Sequence, residues 1–258
     1  MHLSRGMRVT RNFTVIHNAS DGKPTVAKVE METHFEAELK DLKLKILEMA
    51  GFAEQSIERA IRSLTERTGT VLGEVEELEK KINQAHIDVD NLCLGILARK
   101  APVAVDLRLV LAVIKINTDL ERMGDQALNM ARNTEHYLTH APIELAREYT
   151  KMSALVRTMV RESLDAFVNG DVKLAEKVLQ SDDAVDAYKN RLIEELTQKM
   201  RGGSQIEASL NLILIARNLE RMADHATNIA EDVIFMRTGR DVRHGHGQKN
   251  SPKNPTEP

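Results

Sequence analysis

Two short stretches carry acidic residues at a spacing that could do chemistry. Glu121 and Asp125 are four residues apart, and so are Glu220 and Asp224. On a helix, positions i and i+4 share a face, so each pair sets two carboxylates side by side. Carboxylate oxygens are hard donors that suit Mg, Mn, Ca or Fe. Like charges at this spacing also repel, which calls for compensation. A bound divalent or trivalent metal is one candidate. Arginine is the other: Arg122 and Arg221 follow the glutamates directly, and Arg108 and Arg217 lie on the same segments. Asn129 and Asn228 extend each row by a further turn.

The two pairs are copies of one pattern. Residues 119–131 and 218–230 agree at eight of thirteen positions, at an offset of 99 residues. Duplication of a unit of about 100 residues is the economical explanation, and that length holds three helices with their turns. Further acidic positions recur upstream: Glu79, Asn83, His86 and Asp90 in the first copy, Asp182 and Asp186 in the second. Each copy is therefore expected to show two acidic rows flanking the groove between its second and third helices.

These rows need long helices to carry them, and the sequence supplies the pattern. In one segment Val71, Val75, Leu78, Ile82, Ala85, Val89, Leu92 and Ile96 alternate at spacings of four and three, a sustained heptad seam. Each acidic-row residue directly follows a seam residue. A second seam runs Val110, Val113, Asn117, Leu120, Gly124, Ala127, Ala131, and a third runs Ser209, Leu212, Ala216, Leu219, Ala223, Ala226, Ala230. Both pass from large to small residues, which lets a neighbouring helix approach closely. Six helices are predicted, over 33–68, 71–100, 103–139, 143–169, 172–201 and 204–237. Breaks are expected at Thr68-Gly69, Pro102, Ala141-Pro142, Asn169-Gly170-Asp171 and Gly202-Gly203-Ser204, the last a stop followed by a cap. The fold class is all-α: two homologous three-helix bundles of long antiparallel helices with disordered tails. The expected divisions are a disordered extension over 1–30, repeat one over 31–140, repeat two over 141–237 and a disordered tail over 238–258.

Composition narrows the function classes. The net charge is −3, and no basic patch with interleaved aromatics points to nucleic acid. Aromatics are 3% and Trp is absent, as suits a bundle built from Leu, Ile, Val, Ala and Met. Cys93 is the single cysteine and reads as a small core residue; a chain without disulfides fits a reducing compartment. No run of about 18 apolar residues is present, and residues 1–30 lack a signal-peptide core, so a cytoplasmic location is expected. None of the nine histidines completes a Glu-x-x-His motif, and His-Glu-x-x-His, Cys-x-x-Cys and P-loop motifs are missing. His86 lies within an acidic row and His225 adjoins Asp224, so each is weighed as a ligand against a packing role. His244 and His246 read as part of a flexible tail.

With its duplicated Glu121-Arg-Met-Gly-Asp125 and Glu220-Arg-Met-Ala-Asp224, the chain resembles the PhoU family of phosphate-signalling and phosphate-transport regulators. Residues 98–108 and 228–232 resemble the segments that flank the family's motifs. The resemblance implies two three-helix bundles with metal at the duplicated motifs. The metal would be iron, manganese, magnesium or zinc, multinuclear in some members. Carried over, Glu121, Asp125, Glu220 and Asp224 are the ligands, with Glu79, Asn83, Asp90, Asp182 and Asp186 as partners from the facing helices. Asn83 stands where a carboxylate would bind more strongly, which implies a weaker first site. The resemblance further implies a non-enzymatic negative regulator of the phosphate-starvation response. Its partners would be the ATPase subunit of the phosphate ABC transporter and the sensor histidine kinase of the phosphate two-component system. A homodimer is expected as well. Two other readings stand beside it: a carboxylate-bridged metal hydrolase or oxidase on a helical scaffold, and a structural bundle with solvated acidic faces.

Overall fold

The structure, a computed structural model, describes residues 26–68, 71–100, 102, 104–144, 147–203 and 205–243. The described residues form six helices: α1 (Val26–Glu66), α2 (Leu72–Lys100), α3 (Ala104–Leu138), α4 (Arg147–Asn169), α5 (Val172–Arg201) and α6 (Ile206–Thr238). No helix among the described residues is long and apolar enough to cross a membrane. Residues 26–41, the N-terminal stretch of α1, belong to one compact unit, and the described residues from Leu42 onward belong to the other.

Within that larger unit the helices form two three-helix bundles, α1–α3 and α4–α6. The seams predicted for α3 and α6 are buried along their whole length, from Val110 to Ala131 and from Ser209 to Ala230. On α2 the seam holds through Val75, Leu78, Ile82, Val89 and Ile96, but Cys93 is fully buried while Leu92 is only partly so. Cys93, four residues after Val89 and three before Ile96, takes the buried place between them. At the closest approach, a methyl group added to Gly124 would come within 2.8 Å of Ile82 Cδ1. The second repeat has Ala223 in place of Gly124, and Val185 in place of Ile82. A methyl gained on one helix is matched by a methylene lost on the other, as close packing requires.

The two repeats meet chiefly along α3 and α6. Arg108 Nε donates to Met236 O at 3.3 Å, Lys115 Nζ pairs with Asp232 at 2.9 Å, and Asp119 Oδ1 accepts from Asn228 Nδ2 at 3.1 Å. The rising numbers on α3 meet falling numbers on α6, so the pair is antiparallel. Arg157 of α4 adds a bridge to Glu58 of α1 at 3.0 Å.

Helix ends show where local chemistry departs from the expected boundaries. α1 begins at Val26 rather than 33, because residues 26–33 contain no Gly or Pro after Pro24. Residues 1–25 of the expected disordered extension lie outside the described residues. α4 starts at Arg147, not 143, because Ile143 is buried and held by a tyrosine. Tyr137 Oη donates to Ile143 O at 3.3 Å and accepts from Ile143 N at 3.1 Å. Gly170, at φ +61°, makes the turn into α5, and Asp171 caps it by accepting from Lys173 N and Leu174 N. The expected cap Ser204 lies outside the described residues. The residue preceding α6 is Gln205, left-handed at φ 61° and without a side-chain cap bond. At the other end, Gly239 closes α6 with its N–H on Phe235 O, and residues 240–243 continue into an Arg243–Asp241 ion pair at 2.6 Å. Beyond them, His244 and His246 lie outside the described residues.

Candidate functional site

The expected acidic rows do face each other in pairs. In the first repeat, Glu79 and His86 of α2 act on Glu121 of α3, which also feels Asp125, while Asp90 meets α3 at Asn117, a turn before Glu121. Asn83 Nδ2 donates to Glu79 Oε1 at 2.6 Å. Asn117, a buried member of the α3 seam, donates to Asp90 Oδ1 at 2.9 Å and to His86 O at 3.0 Å. His86 Nε2 lies 3.4 Å from Asp90, and its Nδ1 lies 3.3 Å from Asn117 O. The Glu121 carboxyl is pushed above its usual range by partial burial, then by Asp125 and Glu79, against the opposing pull of His86 and Arg122.

In the second repeat, Asp182 and Asp186 of α5 face Glu220 and Asp224 of α6. Partial burial pushes the Asp224 carboxyl up to about 6, with Glu220, Asp182 and Asp186 adding to the shift. Asp182 is raised for the same reasons: burial first, then Asp186, Asp183 and Glu220. One cation sits among them. Lys189 Nζ donates to Asp186 Oδ1 at 2.6 Å and to Glu220 Oε1 at 2.8 Å. These bonds raise its own pKa despite partial burial.

Sequence reading missed Lys189. It lies seven residues after Asp182, and His86 lies seven residues after Glu79, so the two repeats place a basic side chain at the same point of the row. That recurrence was the available signal. Of the arginines expected to compensate, Arg122 pulls the Glu121 carboxyl down, whereas Arg108 binds a backbone carbonyl and Arg217 and Arg221 line a cavity between α3 and α6.

Other members of the expected rows turn away. Asn129 borders the α3–α6 cavity and Asn228 bonds to Asp119. Eight residues along a helix amount to about 80° of rotation, which carries these side chains out of the groove. His225 also leaves the groove: its Nδ1 lies 2.9 Å from Asp119 Oδ1, in the seam between the repeats. Cys93 is fully buried, its thiol pushed up to about 12 by burial and by Asp90, which agrees with the core role.

The donor set suits a hard cation. Half-buried carboxylates that also repel one another, with Asp224 raised to about 6, would be relieved by positive charge, and oxygen ligands match Mg, Mn or Fe. As the side chains stand, no group of three or more His, Cys, Asp or Glu among the described residues is arranged to hold a metal ion.

Comparison with known proteins agrees with the duplication. The PhoU domain matches twice, over residues 46–134 and 149–233. The phosphate-specific transport system accessory protein PhoU homolog of Pseudomonas aeruginosa is 40% identical over 214 residues, which is 81% of this chain and 88% of the relative. The Thermotoga maritima homolog 1 is 32% identical over 213 residues, 81% of this chain and 91% of the relative. Among solved structures, PhoU from P. aeruginosa has a TM-score of 0.77 at 36% identity, covering 80% of this chain and 100% of that one. The phosphate transport system regulatory protein PhoU from Streptococcus pneumoniae has a TM-score of 0.74 at 27% identity, covering 81% and 99%. The relatives are named as accessory and regulatory proteins, not as enzymes. Two matched domains, aligned with two bundles of the same design, place this chain in the PhoU family.

Proposed function

We propose that the chain is an accessory protein of phosphate-specific transport and a negative regulator of the phosphate-starvation response. It acts as a metal-binding adaptor between the transporter's ATPase subunit and a sensor histidine kinase, in the cytoplasm and as a homodimer. The names of its relatives support the accessory role. The observation that carries the metal-binding part is the paired acidic groove, built twice from equivalent residues, with Asp224 raised to about 6 by burial first and then by Glu220, Asp182 and Asp186.

Glu121 and Asp125, with Glu79 and Asp90 opposite, would hold the cation in the first groove. Glu220 and Asp224, with Asp182 and Asp186 opposite, would hold it in the second. A bound multivalent cation supplies charge neutralisation between two helices. Asn83 contributes an amide oxygen at most, and its amide nitrogen is engaged by Glu79, so the first groove offers less charge on that side. Lys189 must release Asp186 and Glu220 before both carboxylates are free.

Lys189 also favours a second reading for the α5–α6 groove, in which its ammonium is the permanent counter-charge. The two readings separate in a pull-down of the ATPase subunit and the kinase's cytoplasmic portion, with and without metal. The adaptor reading expects capture of both partners that weakens on chelation and in a variant lacking Glu121, Asp125, Glu220 and Asp224. Capture insensitive to both changes leaves a structural role for the acidic rows.

A further inference from the structure

A cavity of about 440 Å³ opens along the α3–α6 seam, and its charged lining is entirely basic. Arg132 of α3 and Arg217 and Arg221 of α6 line it, together with Asn129 and Asn218, and no carboxylate is among the lining residues. Arg217 and Arg221 make no ion pair among the described residues. Arg132 reaches Glu76 only at 3.8 Å. Three guanidinium groups around one cavity repel each other unless an anion joins them.

The opposite half of the seam serves as an internal control. There the duplication produces a cavity of about 350 Å³ in which Lys115, Arg122 and Arg243 are balanced by Asp119, Glu231 and Asp232. At the offset of 99 residues, Asp119 becomes Asn218, Glu231 corresponds to Arg132, and Asp232 corresponds to Asn133. All three acids are thus absent from the basic cavity, while Arg122 persists as Arg221.

A second observation points the same way. Asn218 is only 8% exposed, and its Nδ2 has no hydrogen-bond partner. At the equivalent position Asp119 is bonded to His225, but Gln126, the counterpart of His225, leaves its own Oε1 unpartnered. Asn218 therefore borders the cavity as a spare donor.

We infer that this cavity binds a phosphate group, either as free orthophosphate or as part of a phosphoanhydride such as pyrophosphate. Guanidinium forks match phosphate oxygens in bidentate geometry, and the Asn218 amide adds a neutral donor. The site lies apart from the acidic grooves and does not rest on their binding metal.

The test is calorimetric titration of the full-length, metal-free chain with orthophosphate and, separately, with pyrophosphate, at low ionic strength. Parent protein is compared with R217Q/R221Q and with K43Q/K151Q, which removes the same charge from two exposed lysines elsewhere. The parent binds one anion per chain, R217Q/R221Q binds at least tenfold more weakly, and K43Q/K151Q matches the parent. Binding of orthophosphate identifies the free ion as sufficient; binding of pyrophosphate alone identifies a phosphoanhydride chain. Should circular dichroism show R217Q/R221Q unfolded, the single variant R132Q is read instead, with weakening of several-fold. The inference is overturned if the parent binds neither anion, or if K43Q/K151Q weakens binding as much as the arginine variant.

Discussion

Lys189 Nζ lies 2.8 Å from Glu220 Oε1, so the second acidic groove contains a cation supplied by its own helix. The side chain is positioned to compete with metal for Glu220 and Asp186. Replacing Lys189 with Gln removes the competitor without changing the carboxylates. Metal affinity at the α5–α6 groove should rise severalfold in K189Q, while thermal stability without metal falls. A titration with Mn²⁺ followed by electron paramagnetic resonance reads the first quantity. Unchanged or weaker Mn²⁺ binding would mean that these carboxylates do not share a metal.

Asp224 sets a pH dependence. Its pKa is raised from 3.8 to about 6 in the folded chain, so the folded state holds the proton more tightly than the unfolded one. Stability is then lost as pH rises from about 4 to about 6, because folding half-buries the charge that deprotonation creates and sets it beside Glu220, Asp182 and Asp186. D224N removes that charge. In chelator it should stabilise the chain by no more than about 1 kcal/mol at pH 7.5, a figure reduced for solvent screening of a half-exposed group. At pH 4 the gain should vanish. Urea unfolding at the two pH values gives the comparison, and an equal gain at both would refute the assignment.

Lys115 holds the two repeats together through a buried partner. Asp232 is only 4% exposed and is raised by burial, with Lys115 pulling it down. K115M strands that carboxylate and should cost about 3–5 kcal/mol. Adding D232N to K115M should recover much of the loss. Chemical denaturation of the single and double variants measures the coupling.

Tyr137 anchors the link between the repeats. Its hydroxyl is the hydrogen-bond partner of both the N–H and the carbonyl of buried Ile143. Y137F leaves those groups unsatisfied and should cost about 1–3 kcal/mol, with the fold retained. The change is read as a drop in the urea midpoint at constant slope.

Much of this architecture is carried by periodic features that survive in the sequence. The seams of α3 and α6 place Asn117, Leu120, Ala216 and Leu219 correctly, because a heptad repeat fixes which side of a helix is buried. The motif duplication likewise placed Glu121, Asp125, Glu220 and Asp224 on grooves. What escaped depends on distance in the chain or on slow rotation. Asn129 and Asn228 were carried out of their rows by helical drift. The start of α4 was displaced by a tyrosine hydroxyl six residues upstream. Arg132 and Arg217 look like scattered surface charges until α3 and α6 pack side by side. The close approach of Ile82 to Gly124 emerges only once α2 and α3 pack side by side.

Metal content per chain tests the acidic grooves most directly. The full-length protein is loaded with Fe²⁺, Mn²⁺, Mg²⁺ or Zn²⁺, desalted and measured by elemental mass spectrometry beside E121Q/D125N/E220Q/D224N, with circular dichroism confirming that both are folded. The parent should retain at least one equivalent of metal and the variant almost none. Retention of the same amount by both, or of none by the folded parent, would contradict metal binding at these carboxylates.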